Sequence, residues 1–147
     1  PPHRMAEVAT VAGVRFINDS KATNIGALEA ALGGCEAPVV LIAGGRDKNS
    51  DFTLLRDVVT RKVKHLVLVG EAATVMKAAL GSTVATELAT TMEDAVRRAM
   101  AAAVSGDIVL LAPGCASFDM FSGYAERGRV FAGHVMQLAR EREAAGQ

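Results

Sequence analysis

PVVLIA (residues 38–43) is a continuous apolar run that ends at two glycines, Gly44 and Gly45. Such a run is typical of a strand that is buried on both faces of a parallel sheet. Residues 63–69 (VKHLVLV) and 107–112 (DIVLLA) have the same character, and helical patterns separate the three runs. This alternation predicts an α/β fold with a doubly wound, mostly parallel, Rossmann-like sheet and helices on both faces.

An antiparallel N-terminal edge hairpin is predicted ahead of the parallel strands, because residues 7–11 and 14–18 alternate and Ala12-Gly13 supply a two-residue turn. The predicted strands are residues 7–11, 14–18, 38–43, 63–69, 83–88 and 107–112. The predicted helices are residues 25–32 capped by Asn24, 52–62 capped by Asp51, 71–80, a segment opened by a Thr90/Glu93 capping box with Ala95, Val96, Ala99, Met100 and Ala103 on one face, and 123–143.

The composition fits one globular domain and excludes several classes of protein. Half of the 147 residues are hydrophobic, and 16 basic residues balance 16 acidic ones. Zero net charge gives no global field for nucleic acid or an anionic membrane, and no apolar run is long enough to span a bilayer. Cys35 and Cys115 lack the spacing of metal ligands, so we expect two reduced, packed thiols and no metal site. Because the sequence begins at Pro1 without a Met, we interpret it as a piece of a longer protein.

Ligands of a doubly wound sheet gather beyond the carboxyl ends of its strands. The loop after the second strand, residues 19–24 (DSKATN), combines polar groups with a helix N-terminus whose free N–H groups favour an anion. Lys21 adds a mobile cation, and Asp19 is suited to hold a ribose hydroxyl or a metal-bound water. The alternative is a plain turn in which Asn24 only caps the helix.

The loop after PVVLIA, residues 44–50 (GGRDKNS), is also suited to an anion. Its two glycines let the backbone approach a ligand, and Arg46 and Lys48 can pair with carboxylate or phosphate. The alternative is a solvated turn in which Asp47 and the basic residues neutralise one another. Neither GxxxxGK[ST] nor GxGxxG occurs in the chain, so this loop is not a phosphate-binding P-loop.

The loop after the last strand, residues 112–121 (APGCASFDMF), places Ser117 among small and apolar residues. No GxSxG surrounds Ser117 and no histidine lies in a neighbouring loop, which argues against a hydrolase triad. We therefore predict that Ser117 donates a hydrogen bond to a substrate oxygen. Nothing basic in the sequence near Cys115 would activate its thiol, so we assign it no catalytic role.

Two patterns near the C-terminus are interpreted structurally. Phe118, Phe121 and Tyr124 recur at a spacing of three, which usually means core packing on a helix; the alternative is the wall of a binding cleft. The charges of the last helix are interpreted mostly as a solvated face. Those residues are Glu126, Arg127, Arg129, Arg140, Glu141, Arg142 and Glu143.

Together the three loops resemble the C-terminal domain of the Mur ligase family, and within it the members that add D-glutamate. Residues 15–24 (RFINDSKATN) are the most specific part of the resemblance. Residues 44–48 (GGRDK) and 113–121 (PGCASFDMF) also fit, as do residues 2–4 (PHR) and 126–128 (ERG). The resemblance extends over essentially the whole chain, in order and with similar spacing.

The resemblance implies an ATP-dependent amide ligase of peptidoglycan synthesis in the bacterial cytoplasm. In such a ligase ATP phosphorylates the carboxylate of UDP-N-acetylmuramoyl-L-alanine, and the amine of D-glutamate attacks the acyl phosphate. The P-loop and most Mg²⁺ ligands belong to a central domain, and the UDP-sugar site to an N-terminal domain. Residues 1–147 would then be a single C-terminal domain, inactive by itself, of a monomeric enzyme without nucleic acid or membrane partners.

Matching positions carry the family's site residues onto this sequence. The residues that would contact D-glutamate are Thr23, Lys48, Ser117, Phe118 (through its backbone) and Tyr124, where relatives are expected to carry Phe. The residues that would face the nucleotide are Arg4, Asp19 and Lys21. Lys21 is also assigned a catalytic role, because a cation near the transferred phosphoryl group stabilises developing charge. The doubly wound pattern alone supports a second hypothesis, a stand-alone nucleotide- or flavin-binding module of flavodoxin-like type.

Overall fold

The computed structural model describes residues 1–146 and contains one six-stranded sheet in the order β1-β2-β6-β3-β4-β5. The strands are β1 (Ala6–Val11), β2 (Val14–Asn18), β3 (Val39–Ala43), β4 (Val63–Leu68), β5 (Thr86–Leu88) and β6 (Ile108–Leu111). The helices are α1 (Ile25–Gly33), α2 (Arg56–Lys62), α3 (Ala73–Leu80), α4 (Met92–Ala102) and α5 (Tyr124–Ala144). Only the β1–β2 pair is antiparallel among these strands, so the predicted fold class is confirmed.

The edge hairpin turns at the two residues that the sequence indicates. Ala12 and Gly13 both have positive φ, 50° and 80°, as a two-residue turn between twisted strands requires. At the start of α1, the Asn24 side chain accepts a hydrogen bond from the Ala27 N–H at 2.9 Å. The predicted hairpin and the predicted cap are both confirmed.

The sheet separates two apolar layers. Leu41, Leu66 and Leu110 face the layer formed with α1, α2 and α3, while Val40 and Val109 face the layer formed with α4 and α5. All five residues of β3 are buried, which is what the PVVLIA run predicts for a central strand covered on both faces. Within residues 1–146, we find no helix with the length and apolar character needed to cross a membrane.

Several predicted element bounds differ from the structure: α3 begins at Ala73 rather than at residue 71, and β5 begins at Thr86 rather than at residue 83. Thr91 rather than Thr90 caps α4: its Oγ1 accepts the Asp94 N–H at 3.0 Å, and the Asp94 carboxylate accepts the Thr90 N–H at 3.0 Å. The sequence TTMED offers a Thr-x-x-acid pattern in two adjacent frames, and in the observed frame Asp94 also binds Arg98. Residues 52–62 divide into a 3₁₀ turn, Phe52–Leu55, and α2.

The strand order brings the polar loops together. The chain leaves β2, forms β3 two positions away, and places β6 between them at the end, so three loop-bearing strands are neighbours. The loops are joined by backbone hydrogen bonds: Gly44 N–H donates to Pro113 O at 3.0 Å and Gly114 N–H to Ala22 O at 2.8 Å. The three loops therefore form one continuous surface at the carboxyl edge of the sheet.

Candidate functional site

A cavity of about 430 Å³ lies between the loops that follow β2, β3 and β6. It is lined by Thr23, Lys48, Ala116, Ser117, Phe118, Gly123, Tyr124 and Ala125. All five residues that the resemblance assigns to D-glutamate are in this set, although they come from three separate segments of the chain. We refer to this cavity as the loop pocket.

The polar side of the loop pocket carries two hydroxyls and one cation. Ser117 is 2% exposed, so its hydroxyl is largely shielded from bulk water, and Thr23 is half-buried. Lys48 is exposed and has no ion pair within residues 1–146. Hydrogen-bond donors beside a cation, in a partly desolvated cavity, suit a carboxylate or another small anion.

The aromatic residues of the loop pocket are not packed in the core, although their spacing of three usually indicates core packing. Phe118 is 62% exposed and Tyr124 38% exposed, whereas Phe121 packs in part against the α4–α5 layer. The spacing of three suggests one helical face, but residues 117–123 form turns and bends, and α5 begins only at Tyr124. The core-packing interpretation is therefore wrong for Phe118 and Tyr124, which form a wall of the cavity.

A second, smaller cavity of about 190 Å³ adjoins the start of the chain and α1. It is lined by Arg4, Met5, Asp19, Ala22, Ala27, Ala30 and Ala31. Burial raises the pKa of the Asp19 carboxyl, and the Met5 backbone amide and the charge of Arg4 offset part of that effect. Two of the three residues assigned to the nucleotide thus share one cavity.

Lys21, the third residue assigned to the nucleotide, lines neither cavity and lies beside the loop pocket's aromatic wall. Its Nζ is 6.0 Å from the centroid of the Tyr124 ring, and the His3 ring meets the same tyrosine edge-on at 6.2 Å between centroids. The Lys21 N–H also donates to His3 O at 3.0 Å. The opening residues of the chain therefore connect the two cavities.

The glycine-rich loop after β3 does not neutralise itself. Arg46 pairs with Glu71, from the loop after β4, at 3.4 Å, and both side chains are about half exposed. The Asp47 carboxylate instead accepts the Ser50 N–H at 3.2 Å. The alternative in which Asp47 balances the loop's cations is wrong, and Lys48 keeps its charge available to the loop pocket.

Arg127 is a buried residue of the site that the sequence analysis assigned to a solvated face. It is 2% exposed, and its guanidinium donates to Ser20 Oγ at 2.9 Å, Ser20 O at 2.8 Å and Cys115 O at 3.0 Å. Burial lowers its pKa to about 10. A signal was present in the sequence, because Arg127 precedes the buried Phe131 and Val135 at intervals of four on the apolar stripe of α5.

Neither cysteine has the properties of a nucleophile. Burial raises the pKa of Cys115 to about 12, although the nearby charge of Arg127 acts in the opposite direction. Cys35 is buried as well, and its pKa is also raised by burial. Within the described residues, no three His, Cys, Asp or Glu side chains are grouped as metal ligands would be.

Comparison with known proteins identifies close sequence relatives. A family model described as "Mur ligase, glutamate ligase domain" matches residues 3–115. The UDP-N-acetylmuramoylalanine--D-glutamate ligase of Syntrophotalea carbinolica is 46% identical over 136 residues, which are 92% of this chain and 30% of that protein. The corresponding ligase of Methylococcus capsulatus is 50% identical over 137 residues, 93% of this chain and 30% of that protein. The chain thus spans about 30% of the length of these curated relatives.

Solved structures show the same fold at lower identity. The bifunctional folylpolyglutamate synthase/dihydrofolate synthase of Yersinia pestis gives a TM-score of 0.65 at 19% identity, over 90% of this chain and 31% of that one. A domain crystallised from a Haemophilus ducreyi ligase gives 0.62 at 12% identity, over 94% of this chain and 98% of that one. At these identities the likeness concerns the fold alone.

Proposed function

The chain belongs to the Mur ligase family, as a glutamate ligase domain, and we propose that it is the C-terminal, D-glutamate-binding domain of an ATP-dependent amide ligase. The intact enzyme would add D-glutamate to UDP-N-acetylmuramoyl-L-alanine in peptidoglycan synthesis. The observation that carries the proposal is the loop pocket, in which three separate loops place two hydroxyls, an unpaired lysine and two aromatic rings around one cavity.

The chemistry of the loop pocket matches the charge of D-glutamate. The amino acid carries two carboxylates, so Lys48 would pair with one of them while Ser117 and Thr23 donate hydrogen bonds. These contacts are stronger in a cavity shielded from water than on an open surface. Phe118 and Tyr124 would cover the methylene groups between the carboxylates. Held at several points, the amine would be kept at attack distance from the activated carboxyl group.

The proposed reaction has two steps. The terminal carboxylate of UDP-N-acetylmuramoyl-L-alanine attacks the γ-phosphorus of ATP, giving an acyl phosphate and ADP. The D-glutamate amine then attacks the acyl carbon, loses a proton, and expels inorganic phosphate to leave the amide. In this chain, Arg4 and Asp19 would contact the nucleotide, and Lys21 would stabilise charge that develops during phosphoryl transfer.

The remaining partners of the intact enzyme are assigned to parts of the protein outside this chain. We assign the phosphate-binding P-loop and the divalent metal, Mg²⁺, to a central domain and the UDP-sugar to an N-terminal domain. A fold neighbour, the synthase of Yersinia pestis, has been crystallised with AMPPNP and a Mn ion. We propose a monomeric bacterial enzyme of the cytoplasm that binds neither nucleic acid nor membrane.

The alternative function, a stand-alone nucleotide- or flavin-binding module, is not favoured. The family model spans most of the chain, and the relatives that are 46% and 50% identical are named as D-glutamate ligases. The gene sequence upstream of Pro1 distinguishes the two hypotheses. A P-loop domain encoded directly before Pro1 supports the ligase, whereas a reading frame that starts near Pro1 contradicts it.

The direct test is amide formation by the full-length protein. With UDP-N-acetylmuramoyl-L-alanine and Mg-ATP present, we expect ADP release that depends on D-glutamate and is absent with L-glutamate. In the same enzyme, Ser117→Ala should raise the KM for D-glutamate at least about tenfold, because the pocket loses a shielded donor, while the KM for ATP changes much less. Unchanged D-glutamate kinetics in this variant would refute the assignment of the pocket.

A further inference from the structure

Arg127 links the two loops that contribute most of the loop pocket. From the first turns of α5, its guanidinium reaches Ser20 in the loop after β2 and Cys115 in the loop after β6. Ser20 lies three residues before Thr23, and Cys115 lies two residues before Ser117. This side chain therefore adds to the Gly114–Ala22 backbone hydrogen bond in holding together the segments that carry the two hydroxyls of the pocket.

Ser20 extends this connection to the aromatic wall. Its hydroxyl accepts the hydrogen bond from Arg127 Nε and donates its own proton to Tyr124 O at 2.7 Å. Ser20 is fully buried, so its bond with Arg127 is shielded from solvent, whereas its bond to Tyr124 O is partly buried. The backbone position of Tyr124, at the start of α5, is thereby tied to the same guanidinium.

The bonding of Arg127 is unusual for a buried cation. Buried charges normally pair with an opposite charge, yet no carboxylate of the described residues lies within 4.0 Å of this guanidinium. Its partners are two backbone carbonyls and a hydroxyl. A planar fork of N–H donors can serve acceptors on two loops at once, which a lysine ammonium cannot do with the same geometry.

The loop after β3 is packed against the same group. Gly45 has φ +145°, and a Cβ at this position would lie 3.2 Å from Arg127 Nη1 and would overlap Ala116 O. Because Gly45 has no side chain, the backbone of the glycine-rich loop can lie against Ala116 O and close to Arg127. All three loops of the pocket therefore meet at this guanidinium.

We propose that Arg127 is a positioning residue of the D-glutamate pocket, a proposal that rests on the function proposed above. Arg127 lines no part of the loop pocket and would not touch the substrate. It acts through Ser20 and Cys115, holding Thr23, Ser117 and the start of α5 at the separation that the substrate requires. Loss of this clamp lets the loops drift apart, and small displacements of positioning groups cost large factors in rate.

The test is steady-state kinetics of the full-length ligase with Arg127→Met, which keeps much of the side-chain volume and removes every donor. We expect the KM for D-glutamate to rise at least about tenfold and kcat to fall, with the KM for UDP-N-acetylmuramoyl-L-alanine within twofold of wild type. Arg127→Lys should recover only part of the loss. Arg129→Met, an exposed arginine two residues along α5, is the matched control and should leave all constants unchanged.

Ser20→Ala provides a milder variant in case Arg127→Met fails to fold. It removes the link to Tyr124 while Arg127 keeps its two carbonyl partners, so we expect a several-fold increase in the KM for D-glutamate in a stable protein. A purely structural role would lower the thermal midpoint and the yield of active enzyme but leave every KM unchanged. That result for both variants would overturn the proposal.

Hydrogen exchange separates failure of this inference from failure of the proposed function. If the wild-type enzyme forms no amide with D-glutamate, the proposed function is wrong, whatever Arg127 does. Amide exchange can still be compared between wild type and Ser20→Ala: clamping predicts faster exchange in residues 19–24 and in the first turn of α5, which lose the Ser20 hydroxyl, and unchanged exchange in β1 and β5. Unchanged exchange in both of these segments would refute the clamp itself.

Discussion

The amino and carboxyl edges of the sheet differ in how many of their cations have a partner within the domain. At the amino edge, Lys64 pairs with the buried Asp107 at 2.8 Å, and the Lys62 ammonium donates to a backbone carbonyl. At the carboxyl edge, Arg46 pairs with Glu71 at 3.4 Å, but three other cations have no ion pair within residues 1–146. They are Arg4, Lys21 and Lys48.

This difference separates charges that stabilise the fold from charges that are available to a ligand. Partners at the amino edge belong to the domain, so those charges are satisfied without anything bound. Around the loop pocket, a lysine and two hydroxyls line one cavity, as in a site for a small anion. Arg127 lies near the carboxyl edge but belongs with the charges that stabilise the fold. Its donors are already bonded to the Ser20 hydroxyl and to loop carbonyls.

Separating the domain from the rest of the ligase should have the largest effect. We expect residues 1–147 alone to unfold in one cooperative transition, since two apolar layers and the amino-edge pairs are complete within them. Ligand binding should be nearly abolished, because in the proposed enzyme the binding cleft is shared with domains outside this chain. Calorimetry should give dissociation constants weaker than about 1 mM for ATP and for D-glutamate. Tight binding of ATP to the isolated domain would contradict the division of labour proposed here.

Exchanging one lysine at each edge is the next strongest test. In the full-length enzyme, Lys48→Ala should lower kcat/KM for D-glutamate by about 100-fold, roughly 2.7 kcal/mol of transition-state stabilisation, and leave the thermal midpoint unchanged. Lys64→Ala should lower the thermal midpoint and leave kcat/KM for D-glutamate unchanged. It leaves the buried Asp107 carboxylate without its charged partner and so destabilises the fold. If both variants lose activity equally, the edges are not functionally distinct.

The strands and the loops that form the carboxyl edge could be predicted from the sequence, because local patterns determine where each strand ends. The continuous apolar runs locate the central strands, Ala12-Gly13 locates the hairpin, and Asn24 locates the start of α1. The ends of parallel strands then indicate which loops share an edge. Resemblance to a family added the particular residues Thr23, Lys48 and Ser117, which the structure brings into one pocket.

What the sequence did not predict depends on contacts between distant segments. The solvated-face interpretation of Arg127 fails because one residue, Ser20, which lies 107 positions away, supplies two of its acceptors. The core interpretation of Phe118 and Tyr124 presupposes a helix that begins only at Tyr124. The Thr91 cap could not be distinguished from Thr90, because both frames satisfy the same local pattern. Each error arises where tertiary packing decides between two locally acceptable arrangements.

Two glycines of α5 differ in the space that is available for a side chain. A Cβ on Gly128 would overlap the His3 ring and lie 2.9 Å from Asn18 Nδ2, whereas nothing lies within 4 Å of a Cβ on Gly133. Gly128→Ala should therefore cost about 1–3 kcal/mol and displace His3 from Tyr124. Gly133→Ala should stabilise the helix by about 0.5–1 kcal/mol. Urea unfolding measures both changes, and a similar gain in the two variants would show that the His3 contact contributes nothing.

The smallest expected effect concerns two carboxylates whose pKa values shift in opposite directions. Burial raises the pKa of Asp19, near the carboxyl edge, above its ordinary value of 3.8, while Arg15 lowers the pKa of Glu7, on the edge strand β1, below 4.5. A raised folded-state pKa means that the Asp19 charge destabilises the fold at neutral pH, and that this penalty disappears as the pH falls below 3.8. A lowered folded-state pKa means that the Glu7 charge stabilises the fold above pH 4.5. This stabilisation is lost as the pH falls through the folded-state pKa of Glu7.

Asp19→Asn should therefore increase the free energy of unfolding at neutral pH while it impairs nucleotide use, and the increase should shrink as the pH approaches 3.8. Glu7→Gln should decrease the free energy of unfolding at neutral pH by less than about 1 kcal/mol, because its ion pair is exposed, with no effect on kinetics. Urea unfolding at neutral pH and near pH 4 measures both. If both variants decreased the free energy of unfolding at neutral pH, the buried Asp19 carboxylate would stabilise the fold. It would then not be an acid that is kept for a ligand at a cost in stability.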